Sequence, residues 1–173
     1  MHVSLAVRFS AFTLLSMVPF AAMTGQTHGE QTGSPCPAHP NTLRAMHDCY
    51  RPLLVFAPAL DNPQLVEQFN QLKAHAVEMK SRDLLYVPIV PEGHNQPIPG
   101  SRIPTASLSE DELAATRHRF KVEPDEFLVI LIGKDGREKL NSRTPVSMDQ
   151  LKPLIDSMPM RKGEMKQDLQ GEE

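Results

Sequence analysis

An α/β domain, with a central mixed sheet of about four strands flanked by helices in the order β-α-β-loop-α-β-β-α, follows from three observations on this 173-residue chain. Short, nearly continuous apolar runs read as strands buried on both faces: Pro52-Leu-Leu-Val-Phe-Ala57, Leu84-Leu-Tyr-Val-Pro-Ile-Val90 and Phe127-Leu-Val-Ile-Leu-Ile132. Amphipathic segments with helix-start signals separate and follow them. Lys134-Asp-Gly136 turns the third run into a polar strand over 137–141 as a hairpin.

The chain starts with an address. Arg8 precedes an apolar run from Phe9 to Met23, and the small residues Ala21, Ala22, Thr24 and Gly25 lead out of it. A basic start, a short apolar core and a small-residue exit predict a signal peptide over 1–25 and a periplasmic or secreted protein. The run carries Pro19 and falls short of the roughly 20 apolar residues of a bilayer span. An N-terminal membrane anchor is the alternative. Cleavage between Ala22 and Gln26 leaves material for one domain, with no membrane attachment. The net charge of −3 becomes one unit more negative with the loss of Arg8, and basic residues are dispersed, which argues against a nucleic-acid surface.

Residues 26–49 read as a polar leader with two cysteines, Cys36 and Cys49. In an oxidising compartment such a pair predicts one disulfide, and closing a loop of 12 intervening residues is worth about 3 kcal/mol on the chain-entropy model. Cys36-Pro-Ala-His39 and His47-Asp-Cys49 also gather four metal-ligating residue types, but the spacing fits no familiar zinc pattern and a disulfide uses both sulfurs. A redox-active pair is a further alternative, although this spacing lacks the helix-terminus placement that lowers a thiol pKa.

The domain proper is expected over 50–160. After the first strand, Asp61 is expected to cap a helix with Gln64 three residues on and Pro63 in the first turn. Leu65, Phe69, Leu72 and Ala76 then form an apolar stripe that predicts one helix to about Lys80. Pro88 places the second strand near a sheet edge or a bulge. Residues 91–107 hold four prolines and no periodicity, and predict a long loop. Ser109 with Glu112 starts a second helix, and Ser147 a third that Pro159 stops. The tail over 161–173 is charged and expected to be loose. This order of elements is the core of the thioredoxin-like fold, with the first crossover parallel and right-handed.

Four motifs carry a closer resemblance: Arg51-Pro-Leu-Leu-Val-Phe-Ala-Pro58, Arg119-Phe-Lys-Val122, Val129-Ile-Leu-Ile-Gly-Lys-Asp-Gly136, and Ser157-Met-Pro-Met-Arg161 with Glu164-Met165. Over about 50–165 the chain resembles an uncharacterised bacterial family, domain of unknown function 4174. Related domains occur in vertebrate extracellular proteins with sushi repeats. The resemblance implies a thioredoxin-like fold and an exported location, and no reaction. In thioredoxins a Cys-Gly-Pro-Cys motif opens the helix after the first core strand. Here Asp61-Asn-Pro-Gln64 stands at that place and keeps only the proline. The cis-proline expected before the hairpin is missing as well, since Pro124 lies several residues too early.

Other constellations carry less. Ser101, Ser107 and Ser109 near His94 and His118 lack a nucleophile-elbow sequence. Gly133-Lys-Asp-Gly136 is a hairpin turn and not a phosphate loop. Met158, Met160 and Met165 are soft-metal candidates or apolar filler at a helix end, the filler favoured. No catalytic residue, metal or cofactor is assigned. The expectation is a non-enzymatic binding or structural module meeting a protein or small ligand at the 91–107 loop. A thiol-disulfide redox protein using Cys36 and Cys49 is the rival.

Overall fold

The computed structural model describes residues 35–91 and 101–170; the expected signal peptide and the tip of the long loop lie outside them. In chain order the elements are α1 (Leu43–Met46), β1 (Arg51–Phe56), α2 (Pro63–Leu72), α3 (Ala76–Lys80), β2 (Leu84–Ile89), α4 (Glu110–Phe120), β3 (Leu128–Ile132), β4 (Glu138–Ser142), α5 (Met148–Asp156) and α6 (Pro159–Gln170). The four strands form one mixed sheet in the order β2-β1-β3-β4. β1 and β2 are parallel, with Arg51 opposite Leu84, whereas β3 is antiparallel to both β1 and β4. This mixed sheet flanked by helices is consistent with the expected thioredoxin-like arrangement.

The continuous apolar runs encode two cores at once, because successive side chains of a strand point to opposite faces. Leu53, Val55, Tyr86, Val129 and Leu131 meet Leu65, Leu72, Met79, Leu151 and Ile155 of α2, α3 and α5 on one face. Leu54, Phe56, Val87, Ile89, Ile130 and Ile132 meet Met46 and Leu113 on the other, below α1 and α4. β4 is half exposed and polar on one sheet edge. β2 forms the opposite edge, where Pro88 is tolerated. There Tyr86 pairs with Thr105, so residues after the long loop cover part of the edge.

Four expectations need correction. The first concerns the cap of α2, which is Asn62 and not Asp61. The Asn62 side-chain oxygen accepts from the backbone N–H groups of Gln64 (3.0 Å) and Leu65 (3.2 Å), while Asp61 is exposed in the preceding turn. Gln64 donates to the Arg143 carbonyl at 3.1 Å instead of closing a capping box. The second concerns the single helix expected to Lys80, which is two. The interruption over 73–75 re-phases the stripe, so Met79 is fully buried and Val77 is exposed.

The end of the leader, thirdly, belongs to the domain. Residues 43–46 are helical, Met46 is buried, and Leu43 and Tyr50 pack beside it. Finally, the expected loose tail is helical as far as Gln170: Pro159 ends α5 and opens α6. Its apolar patterning is weak because ion pairs, described below, hold it down. The capping box of α5, Ser147 with Gln150, is present. Ser109 caps α4, but its partner Glu112 accepts from the Leu43 N–H (3.0 Å) and so ties α4 to α1.

Replacing Asn62 by alanine is expected to cost about 1 kcal/mol, and replacing Asp61 by alanine less than about 0.5 kcal/mol. Urea unfolding of the two variants checks this, and the reverse ranking would return the cap to Asp61.

Candidate functional site

The carboxyl ends of β1 and β2 are where a thioredoxin-like fold would carry its dithiol. Here Arg117 of α4 fills that end. Its Nη2 donates to the carbonyls of Ala57 and Ile89, both at 3.1 Å, and its Nη1 to that of Glu123. The guanidinium lies 5.7 Å from the Phe56 ring centroid, and burial lowers its pKa. A cation engaged by backbone carbonyls is structural. Asp61 and Gln64 sit by this end in the turn and the first helical turn after β1 and bring no nucleophile or thiol to it.

The opposite end of the sheet gathers charge. Arg51, the first residue of β1, is fully buried. Its Nη1 donates to the Arg82 carbonyl and its Nη2 to Glu164 Oε1, both at 2.8 Å. The same Glu164 oxygen pairs with Lys134 Nζ at 2.8 Å, and Lys134 also reaches Asp83 Oδ2 at 2.8 Å. Arg161 contacts Glu164 Oε2 at 3.3 Å, and Arg82 forms a two-pronged pair with Asp156 at 2.9 and 2.7 Å. Asp83 adds a backbone link, its carbonyl accepting the Arg51 N–H at 2.8 Å. Burial pushes the Glu164 carboxyl up, but the hydrogen bonds from Arg51 and Lys134 outweigh it and hold its pKa at about 2.

Next to this cluster, on the α1 and α4 side, lies a groove of about 450 Å³. Its floor is Met46, Tyr50, Pro52 and Ile132, one wall is Leu43, Arg44 and His47 of the α1 segment, and the other is Glu112 and Arg119 of α4. The hairpin turn closes the end with Gly133, Asp135 and Gly136. Gly136 has φ +69°, and a Cβ there would stand 2.9 Å from the His47 ring, so the turn needs glycine for its backbone and for its neighbour. Arg119 Nη2 donates to the Gly136 carbonyl at 3.3 Å while its guanidinium stacks on Phe120, 5.0 Å from the ring centroid.

Cys36 and Cys49 are joined, with Cα atoms 5.5 Å apart. The Tyr50 hydroxyl donates to the Pro37 carbonyl at 2.7 Å, a second tie on the leader. Together they fix the segment that carries α1, hence one wall of the groove. The bond takes both sulfurs from the four-residue constellation of Cys36, His39, His47 and Cys49, and His47 pairs with Asp48 at 2.9 Å. Among the described residues no group of three or more His, Cys, Asp or Glu is arranged to hold a metal ion. Met158 belongs to the core while Met160 is exposed, which favours the filler role for Met158.

In the described part of the 91–107 loop Ile103 and Ala106 are buried, in different cores, Thr105 pairs with Tyr86, and Pro91 and Arg102 are exposed. His94 lies outside the described residues. Sequence reasoning missed Arg51, Lys134, Arg161 and Glu164 as a group and gave Arg117 a place on its helix but no role. One signal was present: Arg51 opens an apolar run, where a charge needs a partner.

Replacing Glu164 by glutamine leaves Arg51 buried without its counter-charge and is expected to cost roughly 3 kcal/mol at pH 7. The folded pKa of about 2 lies below the unfolded value of about 4.3, so this stabilisation is complete above about pH 4.3 and is lost as pH falls towards 2. Urea unfolding of wild type and Glu164→Gln across pH 7 to 2 should show the gap closing on the acid side. A gap constant with pH would contradict the assignment.

No curated protein and no solved structure matches the chain. The family described as Domain of unknown function (DUF4174) matches residues 42–164, a span that includes α1, the whole sheet and Glu164. That match covers more than half of the 173 residues, and the chain belongs to this family of domains of unknown function.

Proposed function

We propose that the protein is an exported, thioredoxin-like binding module that engages its partner in the groove below α1 and catalyses no reaction of its own. The observation that carries this reading is the contrast between the two ends of the sheet. At the carboxyl ends of β1 and β2, Arg117 is consumed by backbone carbonyls and the dithiol position holds Asp61 to Gln64. At the other end, a 450 Å³ groove of ligand size has an apolar floor and a polar rim. Three of the four motif segments reach it, through Pro52, Arg119 and the Gly133 to Gly136 turn. The disulfide between Cys36 and Cys49 supports an oxidising compartment. No helix among the described residues is long and apolar enough to cross a membrane. In this proposal the 91–107 loop is a second contact surface.

The exposure of Cys36 favours one rival, a thiol-disulfide exchange protein using Cys36 and Cys49. Equilibration in glutathione buffers separates the two. An inert bridge is expected below about −300 mV, and a value near −200 mV would favour the rival. The same contrast appears in an insulin-reduction assay, in which wild type and Cys36→Ser should be equally inactive.

A fragment screen on the isotopically labelled chain tests the binding reading, using neutral, cationic and anionic compounds. Shift changes are expected at Met46, Tyr50 and Gly136, and changes confined to Asp61–Gln64 would refute it. Export is checked separately by N-terminal sequencing. Mature protein should begin within a few residues of Gln26, and an intact Met1 would exclude cleavage.

A further inference from the structure

Resting on that reading, we propose that the groove takes a small organic acid, its apolar body on the Tyr50–Pro52–Ile132 floor and its carboxylate between Arg44 and Arg119. Unpaired positive charge at the rim points to this occupant. Two carboxylates line the groove, and both already accept hydrogen bonds. Glu112 accepts the Leu43 N–H at 3.0 Å. Asp135 pairs with Lys139 at 2.7 Å and also accepts the Arg137 N–H, and the Lys139 bond foremost lowers its pKa. The two arginines are in the opposite state. Among the described residues, neither Arg44 nor Arg119 has an acidic partner. Arg119 is nonetheless fixed, stacked on Phe120 and bonded by one nitrogen to the Gly136 carbonyl, so its remaining N–H groups are presented in a set orientation.

The His47 Nδ1 is paired with Asp48, and its Cδ2 and Nε2 edge lies against the Gly136 turn. The groove therefore has an apolar floor, two carboxylates that already accept hydrogen bonds, and two guanidinium groups without an acidic partner among the described residues. A planar carboxylate suits that rim, since guanidinium forks bind it through two parallel hydrogen bonds. A phosphate dianion suits it less. The helix start on this wall, that of α1, spans four residues and is already capped by the Thr42 hydroxyl. The volume limits the occupant to a small molecule.

The test titrates the full oxidised chain with 4-phenylbutyrate, with its neutral amide 4-phenylbutyramide and with 2-phenylethylamine, following backbone shifts at Tyr50, Ile132 and Gly136. The acid is expected to bind about tenfold more tightly than the amide, and the amine more weakly still. Arg44→Gln is the clean variant, because Arg44 is exposed and no hydrogen bond or ion pair among the described residues uses its side chain. It should weaken the acid about tenfold, leave the amide unchanged and keep the thermal midpoint. Arg119→Gln should act in the same direction.

Equal affinity for acid and amide, or wild-type acid binding by both variants, would overturn the proposal. In the first case groove binding itself survives, because the neutral compound still shifts the groove. If no compound of any charge shifts it, the binding-module reading falls with the acid. A tripeptide ending in phenylalanine is the final arm. Stronger binding by the peptide than by 4-phenylbutyrate would assign a chain terminus and overturn the small-acid assignment.

Discussion

The pairing of Arg51 with Glu164 is the constraint on which the rest depends. A guanidinium at the first position of a central strand, fully removed from water, needs a counter-charge and hydrogen bonds, and here Nη1 and Nη2 find partners while Nε has none among the described residues. The turn before β2 supplies one of these partners, the Arg82 carbonyl that accepts from Nη1. The charge itself is balanced from α6, more than a hundred residues later. Lys134 shares the same carboxylate oxygen and reaches across to Asp83. One side chain thus sets the relative positions of β1, the segment before β2, the β3–β4 turn and the last helix. Buried ionic groups of this kind add little net stability over an apolar core, and removing one partner leaves the other charge buried and unpaired.

The same turn that carries Lys134 also ends the groove, so the ionic cluster and the ligand-sized space share a wall. The Asp48 N–H donates to the Lys134 carbonyl at 2.8 Å, which connects the leader to that turn. Behind it stands the disulfide. The disulfide, the turn and the ionic cluster thus concentrate at the amino ends of the parallel strands. Arg117 is the reason their carboxyl ends are occupied, and the tethered leader is the reason their amino ends are shaped.

What the sequence made legible follows from which forces leave a periodic trace. The strands were plain because Leu53 to Phe56, Leu85 to Ile89 and Leu128 to Ile132 must satisfy two cores at once, and that demand writes an unbroken apolar run into the chain. Ser109 and Ser147 were legible as caps because neither has a second capping residue directly beside it. Asp61 and Asn62 are adjacent, and both side chains can cap. Composition does not separate them; the chain direction into Pro63 does. α6 left no apolar stripe because salt links at Arg161 and Glu164 hold it, and periodicity does not register those. α1 is four residues long, too short for any pattern, so the groove it walls was invisible beforehand.

Synthesis delivers a chain amino end first, and here that order separates two partners. β1 emerges with its guanidinium early, whereas the carboxylate that neutralises it arrives only when residue 164 is free. Without α6 the guanidinium at the start of β1 lacks the carboxylate that meets its Nη2, so the finished packing of the first strand requires the chain through the last helix, which closes the structure like a keystone set after the arch is raised.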